Sequence, residues 1–141
     1  MDRWIVFAFL SMLFAGGTAV IAKLGLAGIT AELGLAVRTA FVTVFVLIFA
    51  AFFVPIADVQ TLTWKNLVGL GLSAMTTAAS WVFYYKAIHE GDVGTVAIID
   101  KGSFLIAVVL AWLLLDERIT FRVAIGSLLV LAGLVVVAWK R

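Results

Sequence analysis

The chain has no cysteine, a single proline, a single histidine, and charged residues at only 13% of its 141 positions. The missing cysteine excludes disulfides, thiol catalysis and Cys-ligated metals. His89 stands beside Glu90 and Asp92. Metal sites usually need more His or Cys donors than that, so His89 reads as a solvated loop histidine, and neither a metal nor another cofactor is expected. With so few charges and 65% hydrophobic residues, a water-soluble domain of this size would have too little polar surface to cover itself. The mean hydropathy of +1.24 points the same way: the solvent is lipid. The formal charge is +2, but Lys and Arg are scattered among helix ends rather than gathered in one basic patch. They flank a membrane, and nucleic acid is not an expected partner.

What is present is a series of apolar runs near the length that crosses a bilayer core as helix, about twenty residues at about 1.5 Å each. The strands of a membrane barrel would instead alternate apolar with polar residues. The runs extend from about Trp4 to Leu26, Leu33 to Val54, Leu67 to Ile88, Val93 to Leu115 and Phe121 to Trp139. The expected fold class is all-α, an integral membrane bundle of five transmembrane helices forming a single domain over residues 1–141. A cleaved signal peptide is the competing reading of the first run, but its apolar core should be only about 7–15 residues. Pro55 closes the second span. The third and fourth spans are joined by His89-Glu90-Gly91-Asp92 and should form a tight antiparallel pair, and Thr120 is a plausible N-cap for the fifth. Every connection is short, so spans adjacent in sequence should be adjacent in space. Trp4, Trp64, Trp139, Tyr84 and Tyr85 fall near span ends, as interfacial aromatics do, while Trp81 and Trp112 lie deeper.

The third span opens Gly69-Leu70-Gly71-Leu72-Ser73-Ala74 and continues Thr76-Thr77-Ala78-Ala79-Ser80. This is more small and hydroxylated residues than lipid contact requires, which makes the helix central. The run has two readings: close helix packing, with Ser and Thr bonding back to their own helix, or the lining of a polar pathway.

Charges inside lipid-spanning helices cost at least a few kcal/mol each, so they need a partner, an escape to the interface or a function. Lys23, Arg38 and Lys86 lie near span ends and have long side chains that can snorkel. Asp100 and Lys101 stand seven and eight residues past Val93, roughly 10 Å into the bilayer. No cation stands three or four residues from Asp100, so its partner is expected on another helix, at Lys23, Arg38 or Lys86. All these groups fall in the half of the bundle facing the carboxy terminus. Their basic excess suits an anionic or zwitterionic solute; the alternative is that Glu32, Glu90 and Asp92 balance it and the cluster only locks helices together. The candidates for a substrate pathway are Lys23, Arg38, Asp100 and Lys101, with the aromatics Trp81 and Tyr85. No Ser-His pair, metal set or paired carboxylates are buried together, so an enzyme is not expected.

Lys23-Leu24-Gly25-Leu26, Val37-Arg38-Thr39, Ile99-Asp100-Lys101-Gly102-Ser103, Leu115-Asp116-Glu117-Arg118, Ile125-Gly126-Ser127 and Leu131-Ala132-Gly133 together resemble the single-repeat, five-span branch of the EamA-type drug/metabolite transporters. Larger members commonly carry a proline in the fourth span; this chain has none there. The resemblance implies a bacterial inner-membrane transporter of small metabolites, an exporter or exchanger working by alternating access. The larger relatives hold two such repeats in inverted orientation, so a one-repeat chain would pair with a second copy. Arg3, Lys65, Arg118 and Arg122 face one side, against Lys23, Arg38, Lys86, Lys140 and Arg141 on the other, a difference of one residue with Lys101 set aside. That is too small to orient the chain, so dual topology and an antiparallel homodimer are expected. The alternatives are a non-transporting membrane subunit or scaffold, or a proton-coupled multidrug exporter, although the first span lacks the deep carboxylate that the latter wants.

Overall fold

The computed structural model describes residues 3–139; Lys140 and Arg141, counted among the flanking charges above, lie outside the described residues together with Met1 and Asp2. All regular structure among the described residues is helical: α1 (Arg3–Gly25), α2 (Ala31–Phe53), α3 (Ile56–Val59), α4 (Trp64–Glu90), α5 (Val93–Asp100), α6 (Ser103–Leu115) and α7 (Phe121–Ala138). Five segments are long and apolar enough to cross a membrane: α1, α2, α4, the stretch Val93–Leu115 that holds α5 and α6, and α7. At 1.5 Å per residue a 23-residue span is about 35 Å long, enough for a hydrocarbon core of about 30 Å with some tilt. The protein is a multi-pass membrane protein.

Local chemistry explains the helix ends. Thr30 caps α2, its hydroxyl oxygen accepting from the Leu33 N–H at 3.2 Å, and Thr120 caps α7 as expected, accepting from Val123 at 3.3 Å. Pro55 pushes Val54 into extended backbone (φ −101°, ψ 111°), which stops α2 at Phe53. The chain then makes the short α3, which the hydropathy pattern did not announce. Asp116 closes α6 in the left-handed region at φ 54°, a conformation Asp tolerates better than most residues, and the Glu117 N–H reaches back to the Ala111 carbonyl at 3.3 Å.

One expectation needs correction here. His89 is not in a loop: α4 continues through Glu90, placing His89 in its last turn. The fourth span runs from Val93 to Leu115 as expected, with a tighter turn at Lys101 and Gly102 between α5 and α6, both residues keeping right-handed helical backbone.

The internal contacts divide the chain into two compact units, Ile21–Glu90 and Met1–Val20 with Gly91–Arg141. In the first, α2 packs on α4. The pair is antiparallel, since Glu32 meets Lys86 near one end and Arg38 meets Trp81 further in. Leu26, Ala31, Tyr85 and Ile88 are its buried residues, and Leu26 fills the space that a side chain at Gly34 would need. In the second unit α5 packs on α7, and Gly102 allows a close approach to Leu134. Consecutive spans therefore pair within each unit. Large apolar side chains such as Phe14, Phe45 and Leu114 remain exposed, the surface that lipid tails would cover.

Within the Ile21–Glu90 unit the small-residue run of α4 is left uncovered. Residues 64–80 are all exposed, and a methyl at Gly69 or Gly71 would touch nothing within 4 Å. The hydroxyls turn inward on their own helix: Thr77 donates to the Ser73 carbonyl at 2.8 Å and Thr76 to the same oxygen at 2.9 Å.

Candidate functional site

The end of the α2–α4 pair gathers three cations, each with a different kind of partner. The Lys23 ammonium, at the end of α1, donates to the carbonyls of Ile88 and His89, the latter at 3.0 Å. These are carbonyls at the C-terminus of α4, which have no partner within the helix and carry its negative dipole end, so a cation is favoured there. Lys86 pairs with Glu32 across the two helices at 3.3 Å. Both side chains of that pair are more than half exposed, so it orients the helices more than it stabilises them. His89 completes the end of the pair, its Nε2 lying 3.2 Å from the Ile29 carbonyl, to which it donates in the Nε2–H tautomer.

Arg38 differs from both lysines. It stands seven residues into α2, about 10 Å along the helix from Ala31. Its guanidinium carbon lies 4.5 Å from the centroid of the Trp81 ring and 5.9 Å from that of Tyr85. The negative faces of both rings attract the cation, and the attraction strengthens where water is excluded. One guanidinium nitrogen, Nη1, is sealed from solvent with no hydrogen-bond acceptor. Rings stabilise the charge, but they do not satisfy an N–H as an oxygen does.

Tyr85 is buried at 4% exposure under Arg38 and makes an edge-type contact with the Tyr84 ring. Trp81 is half-buried, while Trp4, Trp64 and Trp139 at the span ends are exposed.

Two recesses open beside this group. A cavity of about 640 Å³ lies between Gly28–Leu33 on one side and Lys86, His89 and Glu90 on the other. A groove of about 250 Å³ between α2 and α4 is walled by Leu35, Ala36 and Val82, with Glu32 and Lys86 at its rim. Gly28, at φ +75°, makes the turn that carries the chain around the larger cavity.

The second unit holds the other two candidates, Asp100 and Lys101. The Lys101 ammonium lies 3.9 Å from the Asp100 carboxylate. This corrects the expectation that Asp100 lacks a partner on its own helix: the long lysine stem folds back to the adjacent residue. The backbone here is wound more tightly than an α-helix. The Gly102 N–H donates to Ile99 at 2.9 Å, Phe104 to Lys101 at 3.2 Å and Leu105 to Gly102 at 3.0 Å, each three residues back, and none of these bonds reaches the Asp100 carbonyl. A Cβ at Gly102 would lie 3.0 Å from the Ile99 carbonyl and 3.2 Å from the end of the Leu134 side chain, close enough that the neighbours would have to give by a few tenths of an ångström.

Structure therefore brings Lys23, Arg38, Trp81 and Tyr85 into one unit and Asp100 with Lys101 into the other. Reasoning from the sequence missed Thr30 and His89 as parts of the first group, whereas Glu32 was read as a carboxylate that balances the cluster, as its pair with Lys86 does. The Thr30-x-x-Leu33 cap was open to detection from its residue type.

Sequence comparison assigns this arrangement to a known group. The EamA-like transporter family matches residues 2–139. An "Uncharacterized transporter in cobO 3'region" from Sinorhizobium sp is 31% identical over 140 residues, 97% of each chain. No solved structure matches. With the family pattern running through all five spans, the chain belongs to the EamA-like transporter family.

Proposed function

We propose that this membrane transporter is a secondary carrier of a small metabolite in a bacterial inner membrane, an exporter or exchanger that works by alternating access as an antiparallel homodimer. The observation that carries the reading is the charged, tightened turn of the fourth span, where bonds around Asp100, Lys101 and Gly102 reach three residues back about 10 Å from Val93. Charged side chains at that depth are expensive in lipid unless they have a partner or a function. The Asp100–Lys101 pair is open to exchange, since both side chains are more than a third exposed.

The second copy is supported by the exposed stretch Gly69–Ser80, whose small residues leave a helix face able to approach another helix closely. An inverted partner would supply the second repeat that alternating access requires.

The test is reconstitution into liposomes with a screen of metabolites and drugs for uptake, exchange and proton-linked currents. Flux that saturates with one solute and falls in Asp100→Asn supports the reading. Protein that is folded and inserted in both orientations yet gives no flux for any solute favours a non-transporting subunit.

A further inference from the structure

We infer that Arg38, backed by Trp81 and Tyr85, is the binding site for a singly charged carboxylate on the transported solute. Calling the ligand the transported solute rests on the carrier reading above; the binding site itself does not.

The cations around the α2–α4 contact supply the first step. Lys23 has the carbonyls of Ile88 and His89, and Lys86 has the Glu32 carboxylate. Among the described residues, Arg38 has only aromatic rings. Its guanidinium is a planar fork of N–H donors whose best match is an oxyanion. Nη1 is sealed without an acceptor, while the residue as a whole is half-buried, so the rest of the fork stays reachable. A buried donor without an acceptor favours whatever oxygen arrives, and the remaining charge must be matched in a medium without water.

Charge narrows the oxyanions. One unmatched guanidinium balances one negative charge, which a carboxylate or a phosphodiester carries and a phosphate monoester exceeds, and the experiment separates those two. Arg38 is held ready for such an anion: the rings fix the cation without neutralising it, whereas a resident carboxylate would have to be displaced.

The experiment uses the full chain in a maltoside detergent, which carries neither phosphate nor carboxylate. Trp4, Trp64, Trp112 and Trp139 are changed to Phe so that Trp81 alone reports. Sodium benzoate, sodium succinate, inorganic phosphate and phosphatidylglycerol are titrated separately against sodium chloride at constant ionic strength. The expected result is a saturable change in Trp81 emission with benzoate. Arg38→Lys should weaken it about ten-fold, because the ammonium keeps the charge but not the planar fork, and Arg38→Gln should abolish it.

No change with benzoate overturns the inference. So does a change that survives Arg38→Gln with unaltered affinity. A response to phosphatidylglycerol with none to benzoate assigns the site to a lipid headgroup and also overturns it. Should Arg38→Gln fail to fold, Arg38→Lys decides alone, and unweakened benzoate binding in it sinks the idea. Flux in liposomes is measured separately. Arg38-dependent binding without flux leaves the site standing and removes the carrier reading, whereas flux with Arg38-independent binding does the opposite.

Discussion

The guanidinium of Arg38 lies over the indole of Trp81, 4.5 Å from the ring centroid, across the contact between α2 and α4. Each residue comes from a different span, and the cation is held by a ring in place of a carboxylate. The contact should therefore be energetically coupled. Unfolding of Arg38→Ala, Trp81→Ala and the double variant in mixed micelles is expected to give a coupling of about 0.5–2 kcal/mol. Strict additivity would show that the two side chains do not act on each other.

Lys23 ties the end of α1 to the carbonyls of Ile88 and His89. Lys23→Met should destabilise the protein by about 1.5–3 kcal/mol, the range for hydrogen bonds made by charged groups. Hydrogen exchange should rise in the last turn of α4 before it rises elsewhere. Lys23→Arg should recover part of the loss, and an unchanged exchange pattern in Lys23→Met would argue against the tie.

Gly102 lies at the tightened turn of the fourth span and approaches Leu134. Gly102→Val adds a branched side chain at a place already tight against the Ile99 carbonyl, and overpacking of this kind costs about 1–3 kcal/mol. Its melting temperature should fall, and Leu134→Ala in the same chain should restore part of it. Equal stability of Gly102→Val and the parent would mean that α5 and α7 stand further apart at this level.

Asp100 should matter more for transport than for stability. It is more than a third exposed and its nearest cation is 3.9 Å away, a weak pair whose loss should cost no more than about 1 kcal/mol. Asp100→Asn is expected to keep its melting temperature within a few degrees while flux in liposomes drops. Loss of both would assign the carboxylate to the fold, and loss of neither would remove it from the mechanism.

Because the chain has no cysteine, single cysteines at Asp58, Glu90 and Asp116 report topology directly. In each molecule Asp58 and Asp116 should be labelled from one side and Glu90 from the other. Dual insertion makes every position reactive from both sides across the population. A single fixed orientation in cells would replace the antiparallel homodimer with a parallel one or with a partner protein.

The sequence by itself determined the five spans, because length and hydropathy are local properties and continuous apolar runs of this length can close their backbone bonds in lipid only as helices. It also determined the cap at Thr120 and the stop before Pro55, where one residue's own chemistry decides the backbone. It marked Lys23, Arg38, Asp100 and Lys101, since a charge in an apolar run is visible without any fold. What it left open was the partner of each. Lys23 reaches carbonyls of α4, Lys86 takes Glu32 and Arg38 takes two rings. Those choices depend on how helices distant in sequence are rotated and registered against one another. The tightened turn at Lys101–Gly102 was equally hidden, because the span remains apolar on both sides of it. Only the bonds reaching three residues back and the closeness of Leu134 make that turn visible.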